Sequence, residues 1–396
     1  MMLDDGVKPN SRTYSALLTT YANAAVATRR PTAAAAWDKW EEMLADTTLF
    51  PATGTYNSMV NCLAKNAAVG GAGIEETKAL MLAALERGVR WDEQTVLAYL
   101  ELLQRVASEK PRGLRDGSQG SEMPRVALEE GWWVIQKAEG DVKVALGTRS
   151  FSALTALVAK AAARGCGSRQ DLQEVLDGME KRGIKADCKA YVSRMEALAK
   201  LTGRGEASIK DGVALLQEMR SNKVEPSTDL FNVLMDVCAK AATAGNGQPQ
   251  DGFGILQWMS SFSIEPDRTT YNTLLNLLAQ SARFGKARAR HGLSVLERMR
   301  QQGMSVDKYT VASFVNLAKA DGSVSAVRLA RQVFETCPPS ERNQRVYALM
   351  MAAEARVGSG KEVAEVLLDQ AATDGVQPNT FMLNAALQGA TPGSAY

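Results

Sequence analysis

Apolar residues recur along this chain in steps of three and four, the spacing that places side chains on one face of an α-helix. The segment 271–279 follows this spacing, and a second such segment spans 293–300, shortly before Gly303. We expect Gly303 to end the second helix in the left-handed conformation, which glycine adopts without steric cost. The matching residues that we assign in the three preceding units are Gly183, Asn222 and Ser263. Each unit is therefore predicted to be two helices joined by a loop.

The helical pattern itself repeats every forty residues. Two columns show the period, the methionines Met179, Met219, Met259 and Met299 and the aromatic residues Phe151, Tyr191, Phe231 and Tyr271. A single helical hairpin cannot bury its apolar face alone, so hairpins of this kind stack on their neighbours. We therefore predict an all-α fold, a right-handed α-solenoid of stacked antiparallel helix-turn-helix hairpins. The methionine column is expected to fill its core.

The period divides most of the chain into nine predicted repeats. Residues 1–10 resemble the tail of a preceding partial repeat, and residues 380–396 form a lone C-terminal helix and tail. The repeats between them, which cover 11–379, are 11–52, 53–92, 93–147, 148–187, 188–227, 228–267, 268–307, 308–343 and 344–379. The longest of them owes its length to an insertion near 108–122, whose Gly, Pro and charged residues predict an exposed loop.

Composition excludes several classes of function. The chain has 396 residues, a formal net charge of +2 and a single histidine, His291, so histidine-dependent catalysis and paired-histidine metal sites are not expected. Its five cysteines are widely spaced without a CxxC motif, which predicts neither disulfides nor a zinc site. We expect no enzymatic activity, no cofactor, no metal and no membrane span, and we see no transit peptide at the N-terminus.

Short motifs recur at the same two places in the repeats. Helix openings of the type Tyr-Asn-x-Leu or Tyr-Asn-x-Met begin at Tyr56 and Tyr271, and Phe231 begins a similar one. Repeat endings of the type Gly-Val-x-Pro-Asn stand at 6–10 and 375–379. Openings and endings together resemble the pentatricopeptide repeat family over nearly the whole chain, in a P-type-like form with unusually long repeats of forty residues. Tetratricopeptide repeats fit less well, because their characteristic pattern is absent.

The resemblance implies binding of single-stranded RNA with one base per repeat. In the family the base is read by the residue after the aromatic together with the last residue of the repeat. Here the reading pairs are Asn57 with Asp92, Ser152 with Asp187, Asn232 with Asp267, and Asn272 with Asp307. By resemblance, Asn with Asp favours uracil and Ser with Asp favours guanine. Family members also use a lysine against the phosphate backbone, and the corresponding lysines here are Lys65, Lys160, Lys200 and Lys240.

One family feature is missing at several repeats. The residue two before the aromatic is small and apolar in family members that sandwich bases, whereas here it is Arg12, Gly54, Lys189, Asp229 or Thr269. Alternative interpretations of the site residues also stand. The Asn and Asp residues are ordinary helix caps as well, and the lysines suit a solvated helix face.

Two functions are consistent with these observations. The first is an organellar RNA-binding factor, in a mitochondrion or chloroplast by family resemblance, which acts in RNA stabilisation, processing or translation. The second is a scaffold that binds other proteins of an RNA-processing complex, or a structural subunit of a ribonucleoprotein such as an organellar ribosome. A basic stripe along the concave surface favours the first, and a neutral or apolar groove favours the second.

Overall fold

A computed structural model describes residues 8–108, 123–358 and 360–390. Over these residues the regular structure is helical, with nineteen α-helices, a π-helical turn at Ala138–Val142 and a 3₁₀ turn at Pro339–Glu341. The predicted insertion at 108–122, apart from Ser108, lies outside the described residues. So do residues 1–7 of the predicted N-terminal tail and 391–396 of the C-terminal one.

The chain divides into two compact units, Met1–Leu201 and Thr202–Tyr396, called unit 1 and unit 2 below. The helices of unit 1 are α1 (Ser11–Thr28), α2 (Ala33–Ala45), α3 (Thr53–Ala67), α4 (Ile74–Glu86), α5 (Glu93–Ser108), α6 (Met123–Lys137), α7 (Thr148–Ala163), α8 (Arg169–Lys181) and α9 (Cys188–Gly203), the last of which ends just past the boundary. Within unit 1, α1, α3, α5 and α7 pack side by side in chain order.

Unit 2 has the same construction. Its helices are α10 (Ile209–Ser221), α11 (Thr228–Thr243), α12 (Pro249–Ser261), α13 (Arg268–Ala282), α14 (Ala289–Gln301), α15 (Lys308–Asp321), α16 (Val324–Thr336), α17 (Gln344–Arg356), α18 (Gly360–Thr373) and α19 (Thr380–Ala390). The odd-numbered helices from α11 to α19 form a continuous layer, and the even-numbered helices cover one side of it. The predicted all-α fold of stacked helical hairpins is therefore confirmed in each unit.

The columns found in the sequence form the cores of the units. The side chains of Phe151, Tyr191 and Phe231 are fully buried, and Tyr271 is nearly so. Met219, Met259 and Met299 are also fully buried, and Met179 retains only 4% of its exposure. The prediction that the methionine column fills the core is confirmed.

The odd-numbered helices are called inner helices below and form the inner layer of each unit, and the even-numbered helices are called covering helices. Glycine allows the closest approach of covering helices to the inner layer. A Cβ atom on Gly252 of α12 would lie 2.7 Å from Leu277 Cδ2 and closer still to Leu274. Gly131 of α6 has the same role in unit 1, where a Cβ atom would lie 2.8 Å from Leu157 Cδ2. Gly254, two residues beyond Gly252, has open space around it.

The left-handed residue that ends each covering helix follows the period of the repeat, with one correction to the predicted positions. Gly183, Ser263 and Gly303 have φ angles of 64°, 55° and 71°. In the remaining repeat, however, the left-handed residue is Lys223, at 56°, and the predicted Asn222 has a φ of −82°. Lys223 is forty residues from both Gly183 and Ser263, so the backbone keeps the period although the side chain is unfavourable there.

Candidate functional site

The first reading pair is joined by hydrogen bonds. The side-chain amide of Asn57, on α3, donates to both carboxylate oxygens of Asp92, at 3.0 and 3.1 Å. Thr95 Oγ1 donates to Asn57 Oδ1 at 2.5 Å, and the Thr95 backbone N–H donates to Asp92 Oδ1 at 2.9 Å. Asp92 therefore caps the next inner helix and also fixes the orientation of the Asn57 amide, so the capping role and the pairing coexist.

The second pair repeats this network in unit 2. Asn232 Nδ2 lies 3.2 and 3.4 Å from the two carboxylate oxygens of Asp267, and Thr270 Oγ1 donates to Asn232 Oδ1 at 2.6 Å. Asp267 is the N-cap of α13 and accepts the Thr270 backbone N–H at 2.7 Å. In both pairs one amide hydrogen and one oxygen lone pair are used inside the protein, which leaves one of each for a ligand.

The third pair, Asn272 with Asp307, is not joined in this way. Asp307 Oδ1 accepts the backbone N–H groups of Tyr309 and Thr310, at 3.1 and 2.8 Å. Asp307 Oδ2 lies 3.5 Å from Nη1 of Arg268, an interaction for which the other pairs have no counterpart among the described contacts. Asn272 Oδ1 is buried and has no hydrogen-bond partner. Asn272 and Asp307 are therefore not hydrogen-bonded to each other, although their sequence pattern is the same as that of the first two pairs.

The fourth pair, Ser152 with Asp187, lies along a cleft of unit 1. Ser152 keeps 6% of its exposure, and Asp187 accepts the Ala190 backbone N–H at 2.8 Å, which caps α9. The cleft has a volume of about 660 Å³ and is lined by α3, α5, α7 and the start of α9. Its lining includes Asn57, Leu97, Glu101, Arg149, Ser152, Asp187 and Lys189. It brings members of two predicted reading pairs to one surface.

Unit 2 has a cleft of about 670 Å³ on the matching helices. Its lining includes Asp236, Thr269, Asn272, Lys308, Tyr309, Asn343 and Arg345. Tyr309 is 60% exposed, and the ammonium group of Lys308 lies over its ring, 5.6 Å from the centroid. Sequence reasoning missed Tyr309, although it stands forty residues after Thr269, in the column two before the aromatic position.

The four lysines predicted to bind phosphate all stand in the last turn of an inner helix. A cation there also interacts favourably with the negative end of the helix dipole, so each lysine has a structural role as well. Lys65 Nζ donates to Asn23 Oδ1 at 3.0 Å in unit 1, and Lys240 Nζ lies 3.8 Å from Asp236 Oδ1 in unit 2. For Lys160 and Lys200, the described contacts include no hydrogen-bond or ion-pair partner.

The first residue of the inner helices forms a further column that sequence reasoning missed. Thr53 Oγ1 donates to the Arg90 carbonyl at 2.9 Å, and Thr148 Oγ1 donates to the Lys185 carbonyl at 3.1 Å. Arg268 occupies the same helix position in α13. These positions could have been found by aligning the repeats on their aromatic residues and comparing the residue three places earlier.

Two cysteines of the inner helices are buried, and burial changes their acidity. Burial raises the pKa of the Cys62 thiol to about 11 and that of Cys238 to about 12, which keeps both thiols protonated at neutral pH. Within the described ranges, no three His, Cys, Asp or Glu side chains stand together as a metal site would require. None of the helices described is both long and apolar enough to cross a membrane.

Comparisons with known proteins agree with the repeat pattern. Residues 174–241 match a family model described as a pentatricopeptide repeat domain. The pentatricopeptide repeat protein PPR10 from maize is similar in structure, with a TM-score of 0.57 and 18% identity over 97% of this chain. The chain spans 47% of the length of that protein. No curated protein sequence matches the chain.

Two RNA complexes are more distant in structure. PPR10 in complex with an 18-nt psaJ RNA element matches with a TM-score of 0.40 and 16% identity, over 98% of this chain and 57% of that one. Yeast Rmd9p in complex with a 16-nt target RNA matches with a TM-score of 0.34 and 9% identity, over 85% of this chain and 72% of that one.

Proposed function

We propose that this chain, a pentatricopeptide repeat protein by its repeat pattern and its match over residues 174–241, binds single-stranded RNA selectively, with its reading pairs facing the bases. The observation that carries the proposal is the Asn–Asp–Thr network, which recurs in both units at Asn57 and Asn232. An amide held at both ends presents its remaining N–H and oxygen lone pair in one fixed order. That order selects between bases whose Watson–Crick edges carry donor and acceptor in opposite orders.

Uracil is the base that we assign to these two amides. Its N3–H group is a donor beside a carbonyl acceptor, so one amide makes both hydrogen bonds to it. Cytosine presents the reverse order, an amino donor beside the N3 acceptor, and meets the fixed amide donor to donor. We assign guanine to Ser152 with Asp187, because a carboxylate accepts the two N–H donors on the guanine edge.

The lysine column supplies the contribution that does not depend on sequence. Each lysine that contacts a phosphate releases a counterion, and for single strands this makes the logarithm of the affinity fall with the logarithm of salt by about 0.7 per contact. The contacts of Lys65 and Lys240 are with exposed polar groups, which a phosphate can replace at small cost. We expect no chemical step, so the protein acts by covering or remodelling its RNA.

The experiment is a binding titration with single-stranded RNA at several salt concentrations. Replacement of Lys65, Lys160, Lys200 and Lys240 by Ala should weaken binding and reduce the slope against salt by about 3. The matched control replaces four lysines of the covering helices, Lys39, Lys137, Lys181 and Lys210, and so removes the same charge. If both variants lose the same affinity, the lysine column has no special role. If the unaltered protein does not bind RNA at all, the proposed function is wrong.

A second candidate is a scaffold for proteins, or a structural subunit of a ribonucleoprotein such as an organellar ribosome. It is supported by the net charge of only +2 and by the contacts that partly occupy Lys65 and Lys240. Absence of RNA binding together with stable protein partners would favour this candidate.

For the cellular role, we propose RNA stabilisation, processing or translation in a mitochondrion or chloroplast, on the basis of the family resemblance. Imaging of the full native protein with a C-terminal tag tests the location. A purely cytosolic or nuclear signal would contradict it.

A further inference from the structure

Arg268 stands where the equivalent inner helices of several repeats begin with threonine. Thr53 and Thr148 each bind a backbone carbonyl two residues before the end of the repeat. Thr228 is likewise the first residue of its helix, α11. Arg268 instead extends to the end of its own repeat, where Nη2 lies 3.4 Å from Ser305 Oγ. Its Nη1 lies 3.5 Å from Asp307 Oδ2. The arginine therefore adds a cation beside a carboxylate that is otherwise part of a reading pair.

The occupied carboxylate distinguishes repeat 268–307 from its neighbour. In repeat 228–267 both oxygens of Asp267 face the Asn232 amide. In repeat 268–307 one oxygen of Asp307 caps α15 and the other faces Arg268. The Asp307 side chain is only 14% exposed, so its interaction with the guanidinium is partly shielded from water.

Asn272 is consequently held at neither end. The Thr310 hydroxyl donates to Asp307 Oδ1 at 2.8 Å, and its counterpart on Thr270 lies at a similar distance, 2.9 Å, from Asp267 Oδ1. Thr270 also donates to Asn232 Oδ1 at 2.6 Å, whereas the described contacts hold no such bond from Thr310 to Asn272. The buried Oδ1 of Asn272 is left without a donor, which is costly for a buried acceptor. An amide in this state gains from turning toward any ligand that satisfies it, in either orientation.

We propose that Arg268 relaxes the base selectivity of repeat 268–307. This inference rests on the proposed RNA binding. A free amide presents its donor and acceptor in whichever order the base requires, so it accepts uracil and cytosine alike. The fixed amides of Asn57 and Asn232 accept only one order. Arg268 is thus a specificity-determining residue that acts through Asp307 and does not contact the base.

The test is a substitution scan on oligo-uridine with one nucleotide per repeat. Each uridine in turn is replaced by cytidine, and the affinity of each RNA is measured. The unaltered protein should be penalised at the positions that face Asn57 and Asn232, by about tenfold each. The position that faces Asn232 is identified as the penalty that disappears in Asn232→Ala. No penalty should occur at the neighbouring position, which faces Asn272.

Arg268→Thr restores the residue of the column and should allow Asp307 to fix Asn272. We expect a new penalty of about tenfold at the position beside that of Asn232. This penalty should vanish again in Arg268→Thr with Asn272→Ala. Arg268→Lys keeps a cation and should retain the pattern of the unaltered protein. Thermal unfolding of each variant shows whether the fold is intact.

The outcomes separate this inference from the proposed function. If the unaltered protein binds no RNA, the proposed function fails and the inference fails with it. If it binds RNA with the two expected penalties and Arg268→Thr adds none, only the inference is overturned. A penalty already present opposite Asn272 in the unaltered protein would also overturn it.

Discussion

The clefts of the two units have nearly the same volume, about 660 and 670 Å³, but they offer different chemistry. In unit 1 the positions two before the aromatic column carry the cations Arg149 and Lys189, and Leu97 occupies a reading position. In unit 2 the corresponding column contributes Thr269 and Tyr309, with a single cation, Arg345. The buried columns thus determine the scaffold, and a few exposed positions at the start of each inner helix determine what the scaffold presents.

The first residue of the inner helices also differs between the units, and it carries opposite charges at Glu93 and Arg268. Glu93 begins α5 in unit 1, and its carboxylate accepts the Gly147 N–H and the Ser150 hydroxyl, both at 3.0 Å. It therefore binds the backbone N–H of Gly147, the N-cap of α7, as the third helical residue does in a capping box. Arg268 begins α13 in unit 2 and occupies a carboxylate that is present. The first residue of an inner helix therefore supplies an additional hydrogen-bond acceptor in unit 1, through Glu93. In unit 2 the same position binds an existing acceptor, because Arg268 lies beside Asp307.

Gly252→Ala should have the largest effect and should make the two units differ in stability, because it disrupts packing in unit 2 alone. The added methyl group would collide with Leu274 and Leu277 of the inner layer. Overpacking of this kind costs about 1–3 kcal/mol of the free energy of unfolding. Chemical denaturation followed by circular dichroism measures the loss, and RNA contacts that depend on unit 2 should weaken with it.

The matched control for this prediction is Gly254→Ala in the same helix. Gly254 has open space around it, so alanine there should stabilise α12 by about 0.5–1 kcal/mol through its helix propensity. Opposite signs at two positions of one helix would tie the loss to the close approach. Two losses of equal size would contradict that explanation.

Tyr309→Ala sharpens the comparison at the cleft itself. If the exposed ring stacks on a base in the unit 2 cleft, its removal should weaken RNA binding by about 1–3 kcal/mol, with little change in the slope against salt. Filter binding or fluorescence anisotropy measures both quantities. Tyr309→Phe keeps the aromatic face and should bind like the unaltered protein, whereas equal losses in both variants would implicate the hydroxyl instead.

The buried part of the molecule was predictable because burial follows the period. Met219 was assigned to the core from its column and is fully buried, and Phe231 of the equally periodic aromatic column is fully buried too. The pairing of Asn57 with Asp92 was expected from the family resemblance, in which the residue after the aromatic acts together with the last residue of the repeat, and the two side chains are in contact. Exposed columns are less regular, since no packing constraint keeps their residue type the same.

The differences between the reading pairs could not be predicted in this way. Asn232 with Asp267 and Asn272 with Asp307 are identical in residue type and spacing. Their hydrogen bonds differ because a long flexible side chain, that of Arg268, reaches a carboxylate thirty-nine residues further along the chain. A pairwise pattern does not include such a third partner.

His291→Asp is the smallest expected effect, and it tests what an aspartate contributes to the cap of a covering helix. Asp211 and Asp251 have this role in α10 and α12 of unit 2, so His291 is an exception within its own unit. The third residue of α8 in unit 1 is Asp171, which accepts the backbone N–H of Ser168 at 2.8 Å. At the same position of α14 in unit 2, His291 Nδ1 accepts the Arg288 N–H at 3.1 Å. An aspartate there would keep this acceptor and add a negative charge at the positive end of the helix dipole. We expect a gain of about 0.5–1 kcal/mol in the free energy of unfolding.

The gain from His291→Asp should increase as the pH falls. Burial and then the nearby charge of Arg290 lower the pKa of His291, although Asp321 opposes this, so the folded protein favours the neutral imidazole. Below about pH 6.5 the unfolded chain takes up this proton more readily, and the unaltered protein loses stability. Aspartate stays charged over this range and avoids that loss, so its advantage should be larger at pH 5.5 than at pH 7.5.

His291→Asn provides an acceptor without a charge or a titration. Its free energy of unfolding relative to that of His291→Asp should therefore stay constant between the two pH values, and a pH-dependent difference between them would show that the aspartate itself titrates against Arg288 or Arg290.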